Sequence, residues 1–370
     1  MLGFLISLGL TLFQMQAPAS STGSRANVRA SESQAQLSAD DISQLRAQAE
    51  LGSPIAQLKL ARAYEHGDGV PQDDQIAAEW YRKAAEQGNA EAQNSLGVMY
   101  LTGQGVEQNK QQAVIWYHKS ARQGNANAMY NLGAAYYNGD GVALNDSFSY
   151  AWFTLAKEAG SQRAVEAVQR AQSELRALAI TDGFKKIAEM YERGEYLPEN
   201  QAEAARWWLK AATRGDQDAQ AAIAIKLING RGVPQDLAQG RYWCNEAAKQ
   251  DNAPAEYCMG YMYQRGLGVT RDAKQARKWY ERAATRGNIS AIKTLALMEA
   301  TGEGGKTDRL TACLLYARLA ATGDNEALRS LAKLKKEIGA KEWKKVQEQL
   351  PRMRISPEKL DTALQQVDPQ

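Results

Sequence analysis

The chain has 370 residues, 44% of them hydrophobic and 24% charged, with a net charge of +3, three Cys and two His. This composition supports a sizeable core and excludes global disorder, while so few His and Cys leave no material for a zinc site or for a disulfide in every structural unit. A near-neutral balance argues against wholesale nucleic-acid binding, and after the first dozen residues no stretch approaches the roughly 20 apolar residues of a membrane span.

The N-terminus reads as an export leader over residues 1–19. Leu2 to Phe13 is apolar, and Ala17-Pro18-Ala19 supplies the small residues of a cleavage site, although no Lys or Arg precedes the apolar run. The alternative is an uncleaved inner-membrane anchor. From Ser20 to about residue 39 the chain is rich in Ser, Ala and Gln without hydrophobic periodicity, the mark of a linker. Asp40 or Asp41 is expected to cap a first helix carrying Ile42, Leu45 and Ala49, which closes the segment at residue 51.

From Gly52 onward one pattern recurs every 36 residues, in blocks beginning at Gly52, Gly88 and Gly124 and again at Ala179, Gly215, Asp251 and Gly287. Position 9 is always apolar, from Leu60 to Leu295, position 10 is always small, and position 16 is always Gly. Trp fills position 29 in six blocks (Trp80, Trp116, Trp152, Trp207, Trp243 and Trp279) and Leu315 fills it in the last. Apolar residues at positions 5, 9 and 13 form the stripe of a first helix, A. The glycines at 16 and usually 18 supply the positive φ of a turn, and a second helix, B, carries the Trp. The six Trp are expected to be buried at the heart of the core. One hairpin cannot bury its own apolar face, so hairpins must stack.

The pattern Ala-Gln-x-x-Leu-Gly-x-x-Tyr, Gly-x-Gly-Val, Ala-x-x-Trp-Tyr-x-Lys-Ala-Ala resembles the Sel-one-like repeat, a relative of the tetratricopeptide repeat. Residues 88–121 show it almost complete, with Ala92-Gln93, Leu96-Gly97, Tyr100, Gly103, Gly105-Val106, Trp116-Tyr117, Lys119 and Ala121. The resemblance implies an all-α fold: an α-α superhelix, or solenoid, of seven 36-residue helix hairpins, with repeats 1–3 over 52–159 and repeats 4–7 over 179–322. Half-repeat helices are expected at 160–178, where a break or change of pitch should fall, and after 323, with a cap over 323–355 and a flexible tail over 356–370.

Catalytic and metal sites find no support in the residues. His66 and His118 lie on different elements, form no triad or metal pair, and read as exposed surface histidines. The Gly-x-Gly loops follow a helix and lack the strand context of a phosphate loop. No cofactor is expected. Cys244 and Cys258 flank Asp251 almost symmetrically, which would place them at one height in an antiparallel helix pair. An exported chain could join them, and two buried thiols pointing apart is the equal alternative. Cys313 is expected to be buried in the last B helix. By analogy with the tetratricopeptide fold, A-helix positions 7, 11 and 14 line a concave face, which offers Asn94, Tyr130, Tyr137, Tyr257, Tyr261 and Gln264 to a peptide. Packing against adjacent helices is the competing role for each Tyr. From Arg329 to Arg354 there are nine Lys or Arg against Glu337, Glu342 and Glu348, a local balance of +6 that could contact an anionic surface or serve as a solvated cap.

The resulting expectation is a monomeric, non-enzymatic scaffold, exported to the periplasm or beyond, that binds a protein or peptide and no nucleic acid. A branch of the resembled family with cysteine pairs in every repeat is linked to penicillin binding and weak β-lactamase activity. That alternative transfers poorly to a chain without the regular pair. A ligand-free structural spacer is the third possibility.

Overall fold

The structure, a computed structural model, describes residues 37–367; the leader and the linker as far as residue 36 lie outside the described residues. Within them the chain forms 18 α-helices, one short 3-10 turn and no strand. Helix α1 (Ala39–Glu50) is capped by Ser38, whose side chain and backbone exchange hydrogen bonds with Asp41 in a capping box. The cap therefore lies earlier than the expected Asp40 or Asp41, because Asp41 is more useful as the third helical residue.

Three hairpins follow: α2 (Pro54–His66) with α3 (Asp74–Glu86), α4 (Ala90–Thr102) with α5 (Lys110–Ala121), and α6 (Ala126–Asn138) with α7 (Asp146–Glu158). Every A helix here begins on a Ser or Asn cap (Ser53, Asn89, Asn125) and every B helix on Asp or Asn (Asp73, Asn109, Asn145), so each hairpin is bounded by side chains that accept from free N–H groups. Helix α8 (Gln162–Glu174) then packs on α7, and the longer α9 (Ala177–Arg193) packs on α7 as well. The described chain divides after Glu199 into two compact units, in the loop that follows α9.

The second unit begins with α10 (Gln201–Ala212), the B helix of the fourth block. It continues with α11 (Gln217–Asn229) and α12 (Leu237–Lys249), α13 (Ala253–Arg265) and α14 (Ala273–Thr285), and α15 (Ile289–Thr301) and α16 (Arg309–Ala320). Helix α17 (Asn325–Gln349) closes the stack. Gly339 (φ 75°, ψ 171°) breaks it, and the 3-10 turn Leu350–Met353 leads into α18 (Pro357–Gln365). The described part of the expected flexible tail is therefore helical: Leu360 and Leu364 of α18 are buried against α17, which gives those residues a helical face to bury.

The Trp column does not form the innermost core. Only Trp152 and Trp207 are fully buried, while Trp80, Trp116, Trp243 and Trp279 are half-buried. The buried ring stands one residue later, at position 30: Tyr81, Tyr117, Phe153, Trp208 and Tyr280. It lies on the small residue at position 10. A Cβ on Gly97 would stand 2.6 Å from the Tyr117 ring, one on Gly133 2.5 Å from Phe153, and one on Gly260 2.7 Å from Tyr280. One residue along a helix rotates a side chain by about 100°, so when position 30 points at helix A, position 29 faces the flank. There a basic residue three positions later covers the exposed indole face: Lys83 over Trp80, Lys119 over Trp116 and Arg282 over Trp279.

A second column fixes the stacking of one hairpin on the last. Gln57, Gln93 and Gln220, at position 6, are buried and donate to Ala49 O, Ala85 O and Ala212 O at the end of the preceding helix. Gln87, Gln123 and Gln250, at position 36, donate in turn to those glutamines. In the sixth block both partners become charged together: Glu256 replaces Gln, Arg286 replaces its partner, and Arg282 donates to Ala248 O. In the third and last blocks position 6 is apolar (Met129, Ile292) and position 36 is Ala159 or Thr322, while the fourth block has Phe184 and Arg214 at these positions. A buried polar group at this level is thus matched block by block.

Candidate binding surfaces

The groove residues named from the sequence separate into packed and open ones. In the first unit Asn94 accepts from Asn131 Nδ2 at 2.9 Å, and Tyr130 lies against Phe153 (5.3 Å between rings) with the Arg163 guanidinium 4.2 Å from its centroid. Tyr137 borders a narrow crevice with Phe153 and Arg170. In the second unit Tyr257 packs on Tyr280 at 5.4 Å, and Gln264 accepts from the Tyr280 hydroxyl at 2.9 Å. These five side chains make internal contacts. Tyr261 alone among the six stands exposed, at 36%.

Tyr261 has company that sequence reasoning missed. Ile225 on α11 and Leu297 on α15 occupy the same unit position, 11, and are 44% and 54% exposed. Helices α11 and α13 touch directly, so Ile225 and Tyr261 belong to neighbouring A helices of one unit. The signal was available as a column: position 11 is apolar in these three consecutive blocks although it faces away from the stripe at 5, 9 and 13.

A different environment surrounds His118. It is not a surface residue: its ring stacks on Tyr196 (4.8 Å) and meets the edge of Trp152 (5.5 Å), and Phe148 lies beyond Tyr196. Burial in this aromatic nest holds its pKa down at about 4, and its Nδ1 has no hydrogen-bond partner. Tyr196 occupies the position where other blocks have the second loop glycine. In those blocks the loop presses on the preceding B helix, as at Gly105, whose Cβ would meet Asp74 O. In the fourth block an aromatic ring takes the glycine's place and packs on Phe148 and Trp152 of α7 as well as on His118 of α5. Burial likewise pushes the Tyr136 hydroxyl up to about 12. A half-buried imidazole stacked between aromatic rings reads as a packing group. His66, in contrast, is exposed at the end of α2.

Cys244 and Cys258 are joined by a disulfide, with Cα atoms 6.4 Å apart, tying α12 to α13. Cys244 stands at position 30, where the other hairpins place the buried ring, and both cysteines are buried. Cys313 is free and buried in α16, and burial pushes its thiol up to about 12, far from a reactive thiolate. Among the described residues no group of three His, Cys, Asp or Glu could hold a metal ion, and no helix is long and apolar enough to cross a membrane.

The sequence model of the Sel1 repeat matches residues 54–89, 90–125, 126–161, 186–216, 217–252 and 253–288. The chain belongs to the Sel1 repeat family. The hairpin α15–α16, at the end of the array, continues the fold beyond the last matched repeat, and the unmatched residues 162–185 contain α8 and the start of α9. Among solved structures, the chain is similar to c5321, a protective antigen present in uropathogenic Escherichia coli strains and displaying an SLR fold. The identity is 32% over 88% of this chain and 73% of that one, with a TM-score of 0.43. It is also similar to a Sel1 repeat protein from Oxalobacter formigenes, at 29% identity over 80% of each chain and a TM-score of 0.40. A Sel1 repeat protein from Klebsiella pneumoniae matches at 19% identity over 60% of this chain and 98% of that one, with a TM-score of 0.23. None of the curated proteins matches the chain. A bonded cysteine pair in a Sel1 repeat solenoid is consistent with an oxidising compartment outside the cytoplasm.

Proposed function

We propose that this Sel1 repeat protein is a non-enzymatic scaffold, exported to the periplasm or the cell exterior, that holds a protein or peptide partner on the A-helix face. The observation that carries the reading is the repeated exposure of Ile225, Tyr261 and Leu297 at one position of three consecutive blocks. An isolated exposed apolar side chain is ordinary, but three at one position along a stack give a partner regularly spaced anchors. Tyr261 adds a hydroxyl that can bond a partner's backbone, and Arg265 lies 5.9 Å from its ring. Export is supported by the disulfide and by the apolar N-terminal run with its small-residue cleavage site. The penicillin-linked alternative has no observation in its favour, since a single block-to-block bridge is present where that branch has one in every repeat.

The test compares the chain with an Ile225→Ser, Tyr261→Ser, Leu297→Ser variant in cross-linking from the envelope fraction of the source cells. A partner captured by the native chain and lost by the variant, at unchanged helicity, supports the scaffold. Identical capture by both would place the binding elsewhere. Penicillin hydrolysis by the purified chain, absent from a mock preparation, would overturn the non-enzymatic reading.

A further inference from the structure

The C-terminal cap holds a cleft whose construction the repeat array does not require. Gly339 adopts positive φ and splits α17 into two parts at a kink, and α18 packs on α17 beside the elbow so formed. Asp361 on α18 locks the arrangement: its carboxylate accepts from Lys335 Nζ at 2.6 Å, Gln347 Nε2 at 2.6 Å and Trp343 Nε1 at 3.2 Å. Between elbow and helix lies an open cleft of roughly 770 Å³, walled by Ala332, Trp343 and Leu364 and rimmed by Lys335, Lys336 and Lys344. No acidic residue lines it.

We propose that this cleft is a docking site for an acidic peptide segment carrying a large apolar side chain. The charge of the rim selects the partner. Lys335 is neutralised by Asp361, but Lys336 and Lys344 are exposed and make no ion pair among the described residues. Lysine attracts an anion as a point charge and demands no fixed geometry of it, so carboxylates on a flexible segment can meet this rim. The apolar wall selects the second element. Trp343, 5% exposed, is held in place by Asp361 and covered on one face by Lys335, 4.7 Å from its centroid. The small part of its ring that lines the cleft is recessed, open to an inserted side chain and not to a bilayer. The cleft's size falls within the range of about 300–1,000 Å³ typical of ligand sites, which suits a few residues of a peptide and not a flat membrane surface.

The experiment uses the chain with a fluorescein-labelled twelve-residue probe that alternates Glu or Asp with Leu or Phe, read by anisotropy. Binding is expected to weaken roughly tenfold in a Lys336→Glu, Lys344→Glu variant and to weaken further as salt rises from about 0.05 M to about 0.5 M. A Lys333→Glu, Lys341→Glu variant changes the net charge equally outside the cleft and should bind within about twofold of the native chain. A probe with Gly in place of Leu and Phe should bind roughly tenfold more weakly. Equal losses in the two lysine variants would reduce the effect to diffuse charge and overturn the site. So would loss of binding in the Ile225, Tyr261 and Leu297 variant, or binding to anionic phosphatidylglycerol vesicles with none to the peptide. Because the probe and the cleft variants are independent of the A-helix face, this site can fail while the proposed scaffold function stands, and the reverse.

Discussion

Replacing Glu256 and Arg286 by glutamine, singly and together, tests the stacking ladder. Glu256 is completely buried, accepting from Arg282 Nε at 2.9 Å and from Arg286 Nε at 3.2 Å. A hydrogen bond to a charged group contributes about 1.5–3 kcal/mol and a neutral one about 0.5–1.5 kcal/mol, so Glu256→Gln should cost about 1–2 kcal/mol. Arg286→Gln leaves the carboxylate with Arg282 and should cost a similar amount, about 1–2 kcal/mol. Independent effects would sum to about 2–4 kcal/mol. The double variant, however, recreates the Gln–Gln bond that Gln250 makes to Gln220 at 2.9 Å. It should therefore cost only about 1 kcal/mol, a coupling of about 1–3 kcal/mol. Amide hydrogen exchange of α13 and α14 is the proper readout, because a repeat array need not unfold in one step. Opening energies that add to within about 0.5 kcal/mol would refute the ladder.

Asp251 carries the positive φ (63°) that Gly occupies at the start of most other blocks, so Asp251→Gly should raise stability by up to about 1 kcal/mol despite losing the exposed contact with Arg286. Gly88→Ala should lower it by about 1 kcal/mol, since a Cβ there meets nothing within 4 Å and the cost is purely conformational. Differential scanning calorimetry reads both signs. Cys244→Ser with Cys258→Ser opens a loop of 14 residues and should lower stability by about 2–3 kcal/mol, seen as a reduced urea midpoint; an unchanged midpoint would leave the bridge without a stabilising role. His118 has a pKa of about 4 in the folded chain against an ordinary 6.5, so the unfolded state takes up the proton first as pH falls. The stability it permits is complete above about pH 6.5 and declines towards pH 4, by at most about 3 kcal/mol. His118→Phe should flatten urea midpoints across that window, and an identical pH dependence in the variant would show that other groups carry it.

The repeat was legible because each hairpin restates the same local physics. Glycine columns marked the turns, and small residues at position 10 marked where helix B approaches. The choice between Trp and the next ring was not legible, because both lie in one motif and only the rotation of helix B against A decides which is buried. His118 shows the same limit. Its nest comes from α5, α7 and the loop after α9, elements far apart in the chain that meet because α9 packs directly on α7.

By itself the sequence determined the hairpin, its period and the family, since these depend on interactions within about one turn or one repeat. It also placed Cys244 and Cys258 at matching heights, because helix length is fixed by the rise per residue. Only the tertiary structure decided that they bond, that Tyr261 remains open while Tyr130 and Tyr257 pack, and that α18 folds onto the Gly339 elbow. Those outcomes depend on the directions in which side chains from separate blocks meet, and a periodic sequence repeats the spacing of its residues without stating the angle between its helices.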